Sequence, residues 1–148
     1  MEMLIRKMEP GDYDMIIKLW EQVPGMGLND LDDSRDGILR MLLRNPETCF
    51  VAEDSGEIIA TIMVGTDGRR GHIYHLAVRE AYRGKGTAKR MLDVAEEAVR
   101  RLGISKIFLV ALKSNLEGND FWEHIDYTVR EDIVYRDRVL ADMKEIFT

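Results

Sequence analysis

The sequence predicts an α+β fold, a mixed α/β sheet flanked by about four helices. Three observations predict it. Strand-like runs at 48–53 and 57–65 are parted by Asp54-Ser55-Gly56, a hairpin-type break. A strand-like run at 72–78 passes through a glycine-rich loop into the strongest amphipathic helix of the chain, with another apolar run at 106–112 behind it. Antiparallel neighbours followed by one strand–helix–strand unit do not make the regular alternation of a doubly wound sheet. The 148 residues contain no repeat, low-complexity tract or proline-rich linker, so one domain over 1–148 is expected.

The elements follow in order. Residues 3–8 read as a first strand, and Pro10 opens a helix where its missing N–H costs nothing. Met15, Ile16, Leu19, Trp20 and Val23 keep helical spacing until Pro24-Gly25-Met26-Gly27 breaks it. A second helix starts at Asp33 or Ser34 as N-cap, presents Ile38, Met41 and Leu42, and stops at Pro46. After the two strands of the hairpin, Asp67-Gly68 turns the chain into the run at 72–78. Ala88, Met91, Leu92, Ala95, Ala98, Val99 and Leu102 form a continuous stripe, and Gly103 suits the position after a helix end. A buried strand at 106–112, a short helix at 116–125 and strand material at 127–139 complete the reading, with 140–148 open to helix or strand.

Composition narrows the function. The net charge of −6 disfavours a general nucleic-acid binder. No apolar run reaches the ~20 residues that span a bilayer, and Met1–Arg6 lacks the basic start and apolar core of a secretory signal. A single cysteine forms no internal disulfide, so a cytoplasmic protein is expected. Cys49, in the apolar run Thr48-Cys49-Phe50-Val51-Ala52, reads as a small buried hydrophobe rather than a nucleophile. Charge is uneven: Arg79, Arg83, Lys85, Lys89 and Arg90 face a single acid, Glu80, within 79–90, whereas 9–36 holds eight acids against Lys18 and Arg35. A basic island in an acidic chain suits a small anionic ligand.

That island is Arg83-Gly84-Lys85-Gly86-Thr87-Ala88, at the start of the strongest helix. Unpaired N–H groups and the helix dipole make such a start an anion site, and glycine lets the backbone approach closely. A P-loop lacks its upstream glycine here. A dinucleotide fingerprint would need glycine where Lys89 stands. The pattern Arg-x-x-Gly-x-Ala after Leu76-Ala77-Val78, with Asn115, Gly118 and Phe121-Trp122 downstream, resembles the GNAT family of N-acetyltransferases over nearly the whole chain.

The resemblance implies a mostly antiparallel sheet splayed between its fourth and fifth strands, and an acetyl-CoA-dependent enzyme that transfers acetyl directly to an amine through a ternary complex, with no metal. It implies that the backbone of Leu76, Ala77 and Val78 holds the pantetheine arm. The amides of Gly84, Lys85, Gly86, Thr87 and Ala88, with Arg83, would cradle the pyrophosphate, Asn115 would touch the thioester end, and an amide near Leu76 would polarise the thioester carbonyl. His72 stands where some members carry a glutamate base. Alternation sets His72 and Tyr74 on one face and His75 on the other unless a bulge intervenes. The family's tyrosine acid falls at Trp122, which cannot donate as an acid, so Tyr127 is the candidate substitute, or the thiolate leaves unprotonated. Asp126 replaces a usual glycine. The acidic loop with Asn29, Asp30, Asp32 and Asp33 points to a cationic amine acceptor, with neither nucleic acid nor membrane as partner, and family habit implies a homodimer. The competing reading is a non-catalytic acyl-CoA-binding sensor or regulatory module.

Overall fold

The computed structural model describes residues 3–147; Met1, Glu2 and Thr148, at the ends of the signal and C-terminal readings, lie outside it. Five strands, β1 (Leu4–Lys7), β2 (Cys49–Asp54), β3 (Glu57–Thr66), β4 (Gly71–Val78) and β5 (Ile107–Phe108), form one sheet in the order of the chain. The first three pairings are antiparallel and β4–β5 is parallel, as a helical crossover requires. Four α-helices flank the sheet: α1 (Tyr13–Glu21), α2 (Arg35–Arg44), α3 (Thr87–Arg101) and α4 (Leu116–His124).

Both faces of β2 and β3 are covered, which is why their sequences read as apolar runs rather than strict alternation. Phe50, Ala52, Ile62 and Val64 pack with Met91, Leu92, Ala95 and Val99 of α3. Cys49, Val51 and Met63 pack with Ile16, Leu19 and Trp20 of α1 and Ile38 and Leu42 of α2 on the opposite face. Burial pushes the Cys49 thiol up to about 11, consistent with an inert packing residue. Pro10–Asp12 forms a 3-10 turn ahead of α1 rather than its first turn. Ser34, not Asp33, caps α2 by accepting from the Gly37 N–H. Gly37 has no alternative there, because a Cβ would stand 2.3 Å from the Leu31 and Asp32 carbonyl oxygens. Gly103 takes φ 79° after α3, and Asp126 takes φ 68° after α4, so the turn survives without its glycine.

Two expectations need correction. The run at 106–112 contributes only Ile107 and Phe108 to the ladder, pairing with Gly71 and His72 before the strands part. Its alternation persists without a partner: Ile107, Leu109 and Ala111 are half-buried, and Phe108, Val110 and Leu112 are exposed. Residues 127–139 form no strand, since β-propensity without a ladder partner does not order a strand. Their charges instead close locally, Arg130 meeting Asp132 at 2.7 Å. The chain beyond them returns to the loop between α1 and α2, where Glu145 bridges Asn29 and the Ile146 N–H donates to the Leu28 carbonyl.

Candidate active site

The sheet opens beside β4. Gly71↔Ile107 and His72↔Phe108 are the β4–β5 pairs, while β3 stays paired with β4 as far as Val78. Ile73 to Val78 thus have a strand on one side alone, and Leu76, Ala77 and Val78 lie on this splayed stretch.

The same strand carries a bulge. Thr61 pairs with Ala77 and Met63 with Tyr74, so β4 spends one residue more than β3 at this point. His75 absorbs it with φ 48°, a conformation rare for a non-glycine residue. Three contacts hold it there: its carbonyl accepts from the Thr61 hydroxyl at 2.8 Å, its ring meets Trp20 edge-on at 4.6 Å, and Nε2 lies 2.6 Å from Asp33 Oδ1. Trp20 Nε1 donates to the same Thr61 oxygen at 2.9 Å. Asp33 is buried, and its second oxygen accepts from the Asn29 N–H at 2.8 Å. Simple alternation assigns His75 to the far face; the bulge brings it round to join His72 and Tyr74.

These residues line a cleft of about 640 Å³ between β4 and α2. His72 stacks on Tyr74 at 4.1 Å and lies 4.4 Å from Phe108. Burial lowers the His72 pKa below its ordinary 6.5, so the imidazole is neutral at pH 7. Asp32 and Asp33 lie in the same wall set as Arg40 and Arg44 of α2 and Arg70 of the β3–β4 turn. Several of the eight acids of 9–36 are engaged within the chain. Asp12 binds Arg6, Asp14 binds Arg35, Asp33 meets His75, and Asp30 accepts from the Lys144 N–H at 2.6 Å.

At the far end of β4 the chain passes through a 3-10 turn, Glu80–Tyr82, into the glycine loop. Arg83 Nε donates to the Val78 carbonyl at 3.1 Å, tying the loop to the strand. Gly84 and Gly86 have φ 74° and 80°, and Gly86 begins α3 without a side-chain cap. A Cβ at either glycine would enter open space. The loop is therefore an open, glycine-bearing backbone surface at a helix start without a side-chain cap, which fits a pyrophosphate. The Thr87 hydroxyl turns inward to the Tyr82 carbonyl, and Ala88 packs on the α3 side of the core.

Asn115 caps α4 by accepting from the Gly118 N–H at 3.0 Å. Gly118 is forced by this cap, since a Cβ there would stand 2.6 Å from Asn115 Nδ2. On its other side Asn115 lies against Gly25, so α4 and the α1–α2 loop approach each other here. Tyr127 is not among the residues of the cleft. Its hydroxyl donates to Glu96 of α3 at 2.6 Å, and burial with that carboxylate holds its pKa well above the usual tyrosine range. Trp122 packs edgewise between Phe121 and Tyr127. Sequence reading missed the Asp33–His75 pair and the arginine end of the cleft. The one available signal was Arg40 and Arg44, a turn apart with no acid at i±4 from Arg44.

Among the described residues no group of three or more His, Cys, Asp or Glu is placed to hold a metal ion, and no helix is long and apolar enough to cross a membrane. Comparison with known proteins gives the arrangement a lineage. The model of the acetyltransferase (GNAT) family matches residues 13–127. Acetyltransferase plu1384 of Photorhabdus laumondii is 33% identical over 144 residues, 96% of this chain and 99% of that protein. Acetyltransferase YE1169 of Yersinia enterocolitica is 31% identical over 142 residues, with the same two coverages. Among solved structures, the PaiA N-acetyltransferase of Thermoplasma acidophilum, in complex with coenzyme A, superposes with a TM-score of 0.78 at 18% identity, covering 88% of this chain and 92% of its own. One match takes in most of the sheet, the glycine loop and Asn115 together, and relatives of matching length align from end to end: the chain belongs to the acetyltransferase (GNAT) family.

Proposed function

We propose that this protein transfers acetyl from acetyl-CoA directly to an amine in a ternary complex. The observation that carries the reading is the continuity of one strand: β4 leads from the cleft with His72 past the splayed stretch Leu76-Ala77-Val78 to the glycine loop. A long donor laid along that path has its phosphates at Gly84–Ala88 and its reactive end beside the cleft. Acetyl-CoA supplies the activated acyl group.

The chain's residues supply position and proton handling. Backbone amides at Gly84, Lys85, Gly86, Thr87 and Ala88, supplemented by the Arg83 and Lys85 charges, bind the pyrophosphate. The exposed edge of Leu76, Ala77 and Val78 pairs with the pantetheine arm, and Asn115 borders its end. His72 accepts the amine proton; its lowered pKa keeps it neutral and able to do so at pH 7. The Asp33–His75 pair fixes the bulge next to Leu76, and so the direction of the amide that faces the thioester oxygen. We assign Tyr127 to packing between α3 and α4, its proton held by Glu96. The leaving thiolate then departs without a side-chain acid, a step its acidity permits and for which positioning supplies much of the rate.

The test is thiol release from acetyl-CoA with a panel of amines, with the acetylated product identified by mass. Turnover with at least one amine and an N-acetyl product supports the enzyme. CoA binding without turnover on any amine supports a sensor instead.

A further inference from the structure

We propose that the acceptor carries an anionic group, a carboxylate or phosphate, several bonds from the amine that is acetylated, and that Arg40, Arg44 and Arg70 hold it. The inference rests on the N-acetyltransferase reading above and names the substrate class of that cleft. Arg40 and Arg44 lie one turn apart on α2, and Arg70 comes from the turn that starts β4; all three line the cleft that holds His72. None of the three forms an ion pair among the described residues.

The acids nearby do not consume these charges. Asp67 turns its carboxylate back onto its own loop, accepting from the Arg69 and Arg70 N–H groups at 2.8 and 2.9 Å. Asp36, one turn before Arg40, lines the neighbouring groove that Arg40 and Arg44 also border, and among the described residues it forms no ion pair with either. The cleft lining thus carries Arg40, Arg44 and Arg70 against Asp32, Asp33 and Asp67, with Asp33 engaged by His75 and the Asn29 N–H and Asp32 by the Asn29 side chain. Such a set raises the local concentration of anions, and guanidinium forks match carboxylate and phosphate geometry.

The cluster does not serve the phosphates of CoA. Arg70 precedes β4 and the glycine loop follows it, so the two lie at opposite ends of a strand of about 25 Å at ~3.3 Å per residue. Arg70 stands two residues before His72, about 7 Å along the strand, which sets the scale between anion and amine. Tyr74, Phe108, Met41 and Met63 give the space between apolar walls. A polyamine meets like charge at the arginine end. An amine with a remote acid group meets complementary charge.

The experiment compares an aminoalkyl carboxylate, an aminoalkyl phosphate and the neutral amide of equal length as acceptors, with spermidine as the cationic probe. The predicted kcat/KM for one of the acid-bearing amines exceeds that of the neutral amide by about 10- to 100-fold. The carboxylate and phosphate arms tell the two anion sources apart. In the doubly substituted protein, R40Q/R44Q, the ratio of acid-bearing to neutral acceptor falls toward unity. Turnover that is equal for acidic and neutral amines, or best with spermidine, overturns the inference and leaves the enzyme reading standing. A second readout is the thermal shift of the CoA-saturated protein with each amine. A shift specific to an acid-bearing amine and lost in R40Q/R44Q, without turnover, supports the anion site and overturns the enzyme reading. Neither turnover nor a shift overturns both.

Discussion

Asp33 is the residue whose removal reports most directly on the geometry of the cleft. Its carboxylate accepts from the Asn29 N–H at 2.8 Å and meets His75 Nε2 at 2.6 Å, with the Asp33 side chain 4% exposed and His75 11%. Asp33→Ala leaves both partly buried partners with no acceptor, at about 1–3 kcal/mol each, so a loss of roughly 2–6 kcal/mol is expected. In a chain of this size that lowers Tm by roughly 5–15 °C. Asp33→Asn keeps one acceptor and the shape, and the imidazole can change tautomer to accept from the new amide; its cost is about 1 kcal/mol. The catalytic effect has a different pattern. Both variants loosen the bulge at His75, and displacing the adjacent Leu76 amide by ~1 Å lowers kcat by as much as about 100-fold with the acetyl-CoA KM changed far less. Urea unfolding and steady-state thiol release measure the two effects separately. An Asp33→Ala protein within ~0.5 kcal/mol of wild type refutes the buried pair. A wild-type kcat in a destabilised variant refutes its link to the bulge.

Further outcomes follow at His72, Tyr127 and Gly86. For His72, a folded-state pKa below 6.5 places the acid limb of kcat/KM beneath that value, and His72→Gln lowers kcat/KM by about 100-fold or more and abolishes the limb. The same depression means that the folded state binds fewer protons than the unfolded chain, so stability decreases as pH falls below 6.5; the variant shows a flatter profile. Tyr127→Phe removes the donor to Glu96 Oε2 and costs about 1 kcal/mol with kcat within ~2-fold of wild type, whereas a large fall in kcat at unchanged stability restores Tyr127 as the acid. Gly86→Ala meets strain of about 1–2 kcal/mol at φ 80° and puts a methyl into the cradle, so CoA affinity measured calorimetrically falls about tenfold or more. Gly86→Asn tolerates the backbone better, so weakened CoA binding in a stable Asn variant separates cradle from turn.

Much of this architecture was legible in the residues, because the signals were local. The α3 stripe, the hairpin at Asp54-Ser55-Gly56, the glycine loop and the start of α2 each depend on neighbours within one or two turns. The failures were long-range. Alternation along Gly71–Val78 assigns His75 to the wrong side, because the bulge is set by pairing with Thr61 and Met63 on another strand. Asp33 reads as a helix cap until the fold carries it to His75, 42 residues on. Residues 127–139 have strand composition, but composition does not supply the partner that a ladder needs. The acidic tally of 9–36 overstates the free charge, because Asp12 meets Arg6, Asp14 meets Arg35 and Asp33 meets His75.

On the proposed reading, β4 and the loop after it form one continuous seat for acetyl-CoA. Titrating CoA into isotope-labelled protein and following backbone amide resonances tests it directly. The largest shifts are expected on Leu76, Ala77, Val78 and Gly84 to Ala88, with His72 and Asn115 following at the reactive end. Saturable binding that leaves 84–88 unmoved, or that shifts a different surface, contradicts it.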